Sequence, residues 1–489
     1  MSTKKYSRAI TLTVVLLFSG VAFSQPANLY TFGPDVEITE AAPDDGTDND
    51  ELYSSSQHRT AFRGDTVYVV WAENRASTPP TGNHIFFAKS TDRGQTFGSN
   101  VRVNSTAAGF TPSMRVDTAG IIYVAYNRLG DIYFTKSTDG GNSFTPAVFV
   151  VDSVGEPWLQ ERPAIAVNNK GHVFIAWIDY RLSELTIFTA ASYDGGSAFL
   201  PSVPVNDTAT PLGGDFDIGA DDNNHVYVAW KPTDRRIFLS RSDDSGQTFP
   251  FRSVVTDLPT DSSIAGSGSP SIAVGGGSVG VAWQDRRFEQ FTLRFAVSTN
   301  YGQTFSSSTR VDDDNDLSVP SNPQFPSLVW KSNVFWVTWR ELRFDTSISD
   351  YVDYIYFSYS SNKGQTFAKN VRVFDTGGAF FFVDKPSLSV NEKGQAFAAW
   401  FDDRYDPSFS LRKHIFGAAG SPLIVKGDLN LDSLLTPADV VLELNAVFLQ
   451  QAFPASFEAA DVNCDTVLSP ADVVLHLNAT FMGDPFPCS

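Results

Sequence analysis

The segment HVYVAW at residues 225–230, followed closely by SDDSGQTF at 242–249, is one copy of a pattern that recurs along most of the chain. The first part is a short run of β-branched and aromatic residues bounded by Asn and Asp, which is typical of a strand. Copies of this strand end at seven aromatic residues: Trp71, Tyr126, Trp177, Trp230, Trp283, Trp339 and Trp400. Their spacing of 51 to 61 residues, with further apolar runs before and after most copies, predicts the four-stranded blades of a β-propeller.

The second part of the pattern is a turn. Its Asx side chain can cap local backbone N–H groups, its Gly can adopt a positive φ, and its Phe can pack beneath the bend. Six copies follow the third strand of a unit, at residues 90–97, 137–144, 192–199, 242–249, 298–305 and 360–367. A short fourth strand follows each turn, so we predict that each unit is an antiparallel meander.

The last unit, from Lys385 to about Gly420, lacks both the turn and the outer strand. At the other end of the chain, TFGPDVEIT at 31–39 aligns with TFGSNVRVN at 96–104. We therefore predict that the N-terminal strand completes the last blade, which closes the ring and removes an open sheet edge. The predicted fold class is all-β, a seven-bladed β-propeller, with six blades as the alternative.

The six turns resemble the Asp-box, or bacterial neuraminidase repeat, of the sialidase superfamily. The resemblance covers about residues 30–420, with Asn300 and Asn362 in place of Asp in two copies. In that family the box is structural, so the resemblance assigns no chemistry to the turns. It implies that the propeller recognises an extracellular glycan, and that any hydrolysis would be of the sialidase type. A non-catalytic propeller that binds another extracellular protein is the alternative.

The sequence leaves enzymatic activity open and the catalytic residues unknown. The resemblance implies three arginines on a sugar carboxylate, a Tyr nucleophile with a nearby acid, and a separate Asp. The Phe-Arg-Ile-Pro segment of the family is absent, and Glu161-Arg162-Pro163 is only a partial likeness. Tyrosines and carboxylates are too numerous for the sequence to single out a pair.

The segments after the aromatic-ended strands share an acidic residue followed by arginine, as in Asp179 and Arg181. Because strands of a meander alternate in direction, these segments lie on the face opposite the Asp-box turns. One interpretation is a repeated structural ion pair. The other is that several arginines converge near the axis and bind the carboxylate or sulfate of an acidic glycan. The candidate ligand-binding residues are Arg75, Arg128, Arg181, Arg235, Arg287, Arg343 and Arg404.

A different repeat begins near Ser421. The segments GDLNLDSLLTPADVVLELNAVFL at 427–449 and ADVNCDTVLSPADVVLHLNATFM at 460–482 match with an offset of 33 residues. Each begins with oxygen-bearing side chains at loop positions 1, 3, 5 and 12 and a backbone carbonyl at position 7, as in an EF-hand calcium loop. The predicted Ca²⁺ ligands are Asp428, Asn430, Asp432, Leu434 and Asp439 in the first loop, and Asp461, Asn463, Asp465, Val467 and Asp472 in the second.

Each loop leads into a predicted helix that is capped by Thr436 or Ser469 and starts with proline. The two units resemble a type I dockerin, which is a pair of calcium loop–helix units. The resemblance implies a cohesin-like protein partner, with surface attachment or a purely structural role as alternatives. Ser433 and Thr466 stand at loop position 6, where EF-hand loops carry Gly, so we expect backbone strain at any left-handed residue there.

Charge and cysteine content bear on partners and compartment. The chain has 489 residues with 55 acidic and 36 basic side chains, and its formal charge of −19 disfavours a nucleic-acid partner. Lys4, Lys5 and Arg8 precede an apolar stretch that is too short for a comfortable membrane span, which is typical of a secretory signal. An uncleaved membrane anchor is the alternative. Export would favour a disulfide between the two cysteines, Cys464 and Cys488, with two free structural cysteines as the alternative.

These features divide the chain into three predicted regions. Residues 1–24 are a signal peptide, residues 25–420 form the Asp-box propeller, and residues 421–489 form a dockerin-like calcium-binding domain. We expect a monomer that is secreted or held at the cell surface. No other apolar run is long enough to span a bilayer.

Overall fold

The computed structural model shows a seven-bladed β-propeller followed by three helices, which confirms the predicted fold class and excludes six blades. The structure describes residues 30–39, 58–73, 83–104, 108–151, 159–182, 184–207, 209–257, 266–287, 290–314, 322–346, 349–374, 383–404, 414–422, 426–430, 435–451, 453 and 457–487. The predicted signal peptide lies outside these residues. No described helix is long and apolar enough to cross a membrane.

Each blade is an antiparallel meander whose strands pair in chain order, with the first strand on the propeller axis. The chain begins with two short strands, β1 and β2, which belong to the last blade, and the strands of the first three blades come next. In chain order these strands are β1 (Tyr30–Phe32), β2 (Val36–Glu37), β3 (Thr60–Arg63), β4 (Thr66–Glu73), β5 (His84–Ser90), β6 (Val101–Arg102), β7 (Phe110–Val116), β8 (Ile122–Arg128), β9 (Asp131–Ser137), β10 (Val148–Phe149), β11 (Gln160–Val167), β12 (Val173–Asp179), β13 (Thr186–Ser192) and β14 (Val203–Pro204).

The next four blades repeat the same order. Their strands are β15 (Leu212–Ala220), β16 (Val226–Pro232), β17 (Phe238–Ser242), β18 (Phe251–Val254), β19 (Gly266–Gly275), β20 (Ser278–Arg287), β21 (Gln290–Ser298), β22 (Thr309–Arg310), β23 (Gln324–Lys331), β24 (Val334–Asp345), β25 (Asp350–Ser360), β26 (Val371–Arg372), β27 (Val383–Val390), β28 (Ala396–Asp402) and β29 (His414–Pro422). The aromatic-ended strand of the sequence repeat is the second strand of every blade.

The apolar core lies between neighbouring blades rather than at one centre. Trp177, for example, is fully buried in an apolar cluster that also contains Tyr123 and Phe134 of the preceding blade. Strands in this setting are covered on both faces, which explains why their sequences are almost continuously apolar.

The N-terminal segment completes the seventh blade. Strand β1 pairs with β29 at Tyr30 and Pro422, and β2 pairs with the same strand at Val36 and Gly417. The Tyr30 hydroxyl donates to the carbonyl of Gly394 at 2.7 Å. The predicted closure of the ring by the N-terminus is therefore confirmed.

The Asp-box turns have the predicted hydrogen-bonding geometry. Asp92 Oδ1 accepts from the backbone N–H of Thr96 at 2.9 Å, and Ser90 Oγ accepts from that of Gly94 at 2.8 Å. Gly94 has a φ of 88°, and a Cβ there would lie 2.4 Å from the ring of Phe397 in the neighbouring blade. The turns thus require glycine both for their bend and for contact between blades.

The helical region contains α1 (Pro437–Leu449), α2 (Phe457–Ala460) and α3 (Pro470–Met482). Thr436 and Ser469 are the N-caps of α1 and α3, and each forms a capping box with the acidic residue three positions later. Residues Leu429, Ala459 and Ala460 form a small buried cluster in this region. The helices are compatible with a small helical domain.

Candidate functional site

Three of the predicted arginines lie near the ends of the second strands and form ion pairs within their own blades: Arg181, Arg287 and Arg343. In the third blade, Asp179 accepts from Trp177 Nε1 and from Arg181 Nε, each at 2.9 Å. The Arg181 guanidinium also lies 4.3 Å from the centre of the Phe188 ring. The buried tryptophan, the acid and the arginine therefore form one structural unit.

Two of these units also bridge to the preceding blade. Arg287 pairs with Asp285 in its own blade at 2.7 Å and with Asp257, which follows the fourth blade's outer strand, at 2.9 Å. Arg343 pairs with Glu341 at 2.6 Å and reaches Asp313 beyond the fifth blade's outer strand at 2.7 Å. This geometry agrees with the interpretation of these arginines as structural ion pairs.

The other predicted arginines differ in their contacts. Arg404 pairs with Asp35 of the N-terminal segment at 2.8 Å, and Arg128 lies over the Tyr133 ring. Asp234 pairs at 2.6 Å with Arg236, the residue after the predicted Arg235. Arg75 lies outside the described residues.

A different set of side chains surrounds the propeller axis, because the seven first strands line a central cavity of about 280 Å³. Six of these strands carry a β-bulge near their start. We call the residues at these bulges the mouth ring, since the first strands begin on the face opposite the Asp-box turns. The mouth ring consists of Thr111, Arg162, Asp215, Ser269, Phe325 and Lys385.

The mouth ring combines charged, hydroxyl and aromatic side chains. All of its members except Asp215 have a positive φ, between 45° and 55°. Arg162 Nη1 lies 3.4 Å from Asp215 Oδ1 of the next blade, and Ser269 of the following blade donates to Asp215 Oδ2 at 3.1 Å. The Arg162 side chain is 43% exposed, so it remains accessible to a ligand.

A tyrosine–carboxylate pair lies beside Arg162. The Tyr180 hydroxyl donates to Glu161 Oε1 at 2.7 Å, and both side chains are partly exposed. Burial and this hydrogen bond raise the pKa of Tyr180 to about 12, whereas the charge of Arg162 opposes the rise. At neutral pH the phenol is therefore protonated and acts as a hydrogen-bond donor.

A second cation lies near the start of the seventh blade's first strand. Arg340 Nη2 donates to Asp353 at 2.7 Å, and Arg340 Nη1 approaches Asp384 at 3.5 Å. Burial raises the pKa of Asp384, although Arg340 and Lys385 oppose this effect. Arg162 and Arg340 therefore each lie beside a carboxylate of the next blade, Asp215 and Asp384 respectively.

Sequence reasoning did not identify this group, although a usable signal was present. Most first strands begin with a residue followed by Pro and a small residue, as in Arg162-Pro163-Ala164 and Lys385-Pro386-Ser387. Aligning these triplets would have shown that the residue before Pro occupies the same position in each of these blades and that its side chain varies from blade to blade.

The second loop of the helical region brings carboxylates together. Asp461, Asp465 and Asp472 each offer an oxygen atom within 4.8 Å of the others. Oxygens that surround a calcium ion at about 2.3–2.6 Å have separations of this size, so the donor set fits Ca²⁺. In the first loop, Asp428 and Asp439 are buried, while Asp432 and Leu434 lie outside the described residues.

Cys464 lies within the second loop and is disulfide-bonded. Its predicted partner, Cys488, lies outside the described residues, so the pairing itself stays a prediction.

Thr466, at position 6 of the second loop, has a φ of 66°. A β-branched residue is strained in this conformation and glycine is not. We therefore expect Thr466→Gly to stabilise the helical region by about 1 kcal/mol, measured by thermal unfolding monitored through helical circular dichroism in calcium. Thr466→Ala is the matched control, because it removes the hydroxyl but keeps Cβ. A glycine variant no more stable than the alanine variant would contradict the strain.

The propeller resembles several solved structures at low sequence identity. A protein of unknown function from Dyadobacter fermentans DSM 18053 aligns at 12% identity and a TM-score of 0.46, over 80% of this chain and 99% of that chain. The Penicillium chrysogenum alpha-L-arabinanase aligns at 14% identity and a TM-score of 0.44, over 80% of this chain and 99% of that chain. The NanB sialidase of Streptococcus pneumoniae aligns at 10% identity and a TM-score of 0.41, over 79% of this chain and 70% of that chain. No protein-family model and no curated protein matches the sequence.

Proposed function

We propose that this chain is a secreted carbohydrate-associated protein whose propeller binds an acidic extracellular glycan at the mouth ring. The observation that carries the proposal is the Tyr180–Glu161 pair beside the exposed Arg162. A guanidinium binds a carboxylate or sulfate through two parallel hydrogen bonds. The neighbouring phenol and carboxylate can donate to and accept from sugar hydroxyl groups.

The surrounding structure supports recognition because it holds these groups in place. Glu161 and Arg162 are adjacent on β11, where a bulge separates Glu161 from Ala164 in the pairing with β12. Asp215 fixes one side of Arg162 and is itself held by Ser269. Such preorganisation lowers the entropic cost of binding.

A second candidate function, glycoside hydrolysis, is favoured by the same tyrosine–carboxylate pair. A protonated tyrosine can act as a nucleophile only if a base accepts its proton, and Glu161 lies at hydrogen-bond distance from it. Hydrolysis at this site would therefore depend on both residues, whereas binding would tolerate Glu161→Gln better. A non-catalytic propeller that binds a protein partner is the alternative to both functions.

We further propose that the helical region binds Ca²⁺ and serves for docking, either to a cohesin-like protein or at a surface. The support is the convergence of Asp461, Asp465 and Asp472 together with two capped helices that repeat with an offset of 33 residues. Calcium would fix the loop conformation, and the chain's own carboxylates would supply the ligands. Export by the predicted signal peptide is consistent with a calcium-rich, oxidising environment.

The test of the propeller function is a glycan array that includes sialylated, uronate-containing and sulfated glycans, probed with the mature protein. We expect binding to acidic glycans, and we expect Arg162→Met to weaken it by about 10-fold or more, as for loss of a charged hydrogen bond. Arg93→Met, which removes an exposed arginine from the opposite face, is the control.

The same glycans, incubated with enzyme and analysed for released sugars, test hydrolysis. Turnover that disappears in Glu161→Gln with binding retained would support the second function. Binding confined to proteins, with no glycan retained at any concentration, would refute the propeller proposal.

A further inference from the structure

The central cavity has one feature that the mouth ring does not explain. Seven residues, one from each first strand, line the central cavity at the same level along the propeller axis. We call them the cavity ring: Ala61, Arg115, Ala166, Gly219, Ala273, Val329 and Ser389. Six of the seven are small, apolar or a single hydroxyl, so Arg115 is the charged member of the ring.

Arg115 makes few polar contacts for a charged side chain that lines an apolar cavity. Its Nη1 donates to the carbonyl of Met114 at 3.1 Å. Within the described part of the chain, no carboxylate forms an ion pair with it. Burial lowers the pKa of Arg115 to about 10, partly offset by Asp217, so the side chain is still cationic at neutral pH. Guanidinium has five N–H donors, and most of them therefore remain for a ligand in the cavity.

The nearest opposite charge is already engaged elsewhere. Asp217 is fully buried, and its Oδ1 accepts from the backbone N–H of Ile218 at 2.8 Å. Its Oδ2 accepts from Ser271 Oγ and from the Ile272 N–H, and lies 3.2 Å from His58 Nε2. These contacts join the first, fourth and fifth blades across the axis. The carboxylate therefore has little capacity left for Arg115.

The other charged residue that lines the cavity does not compensate Arg115 either. Lys331 is a cation, and it pairs with Glu392 at 2.8 Å on the Asp-box face. The cavity lining contains no carboxylate among the residues described, and its walls are mainly Ile, Val, Ala and Leu. An unpaired positive charge in such surroundings is costly, and an anion beside it would offset that cost.

We propose that the central channel contains a binding site for a small anion, a halide or a carboxylate such as acetate, at the Arg115 guanidinium. The cavity volume of about 280 Å³ accommodates an ion of this size with several waters, since one water occupies about 30 Å³. The site lies on the axis, on the Asp-box side of the mouth ring. It would act as a structural anion site that ties the inner strands together.

Thermal unfolding of the mature protein in concentration series of sodium bromide and of sodium acetate tests the proposal. A ligand that binds only the folded state raises the folded-to-unfolded ratio about 100-fold at 100 times its Kd. We expect Tm to rise for the wild type and for Arg93→Met, in proportion to the logarithm of the anion concentration once it exceeds Kd, and to stay flat for Arg115→Met. Equal responses of all three proteins would overturn the proposal.

A second measurement keeps the test independent of how well the variant folds. Crystals of the wild-type protein soaked in bromide are expected to show an anomalous peak beside Arg115 in the channel. Bromide peaks confined to the outer surface, with no acetate density beside Arg115 in crystals soaked in acetate, would overturn the proposal. If acetate but not bromide raises Tm, the site is selective for carboxylates, and density for acetate beside Arg115 should then replace the bromide peak.

Discussion

Tyr30→Ala is expected to lower the propeller's free energy of unfolding by about 3–5 kcal/mol, the usual cost of truncating a large buried aromatic residue. Tyr30 is 4% exposed, and its ring centre lies 4.6 Å from that of Phe357 and 5.9 Å from that of Trp336. These two residues belong to the sixth blade, so Tyr30 joins the last two blades as well as the two ends of the propeller. Urea denaturation followed by tryptophan fluorescence measures the effect, since all nine tryptophans precede residue 421.

Tyr30→Phe is the matched control for this prediction. It keeps the ring but removes the hydroxyl hydrogen bonds to the carbonyls of Gly394 and Gly420. We expect a smaller loss of about 1–2 kcal/mol, because the carbonyls lose their buried donor. An alanine variant as stable as the wild type would mean that the N-terminal strand does not close the ring.

Asp465→Ala is expected to reduce the calcium affinity of the second loop by at least about 100-fold, since it removes a ligand and one negative charge. Asp465 is exposed in the structure, and its Oδ1 accepts from the backbone N–H of Val467 at 2.8 Å. Calorimetric titration of metal-free protein with CaCl₂ would then show the loss of one strong site. Asp461 and Asp472 are poorer choices, because both are buried and each accepts backbone N–H groups through both carboxylate oxygens.

Asp484→Ala serves as the control for the calcium prediction. Asp484 is exposed, follows α3 and lies outside both loops, so its removal should leave the number of strong sites unchanged. An Asp465→Ala protein that binds calcium as the wild type does would contradict the assignment of the loop.

The fold could be predicted from sequence because its determinants are local and repeated. The Asp-box turn depends on side chains within five residues, such as Asp92 and Thr96, so its hydrogen bonds can be inferred without knowledge of the blades. The closure of the ring could also be predicted, because TFGPDVEIT repeats the sequence of an outer strand. The capping boxes of α1 and α3 are local in the same way.

The candidate site was harder to predict, because its contacts join different blades. Arg162 contacts Asp215 across a sequence separation of 53 residues. Both residues lie at β-bulges, in β11 and β15, and the amino-acid composition does not predict where a bulge occurs. The arginines that the sequence did single out, such as Arg181, are held by an acid two residues away and by a neighbouring aromatic ring. Arg115 could have been noticed only after the first strands were aligned, since its equivalents are small or apolar.

The position of a bound glycan in a crystal structure would show whether the mouth ring recognises an acidic glycan. Crystals of the mature protein should be grown with the acidic glycan that binds best on the array. We expect the carboxylate or sulfate to lie against the Arg162 guanidinium, with sugar hydroxyl groups at hydrogen-bond distance from Tyr180 and Glu161. A glycan bound instead on the Asp-box face or on the helical region would contradict it.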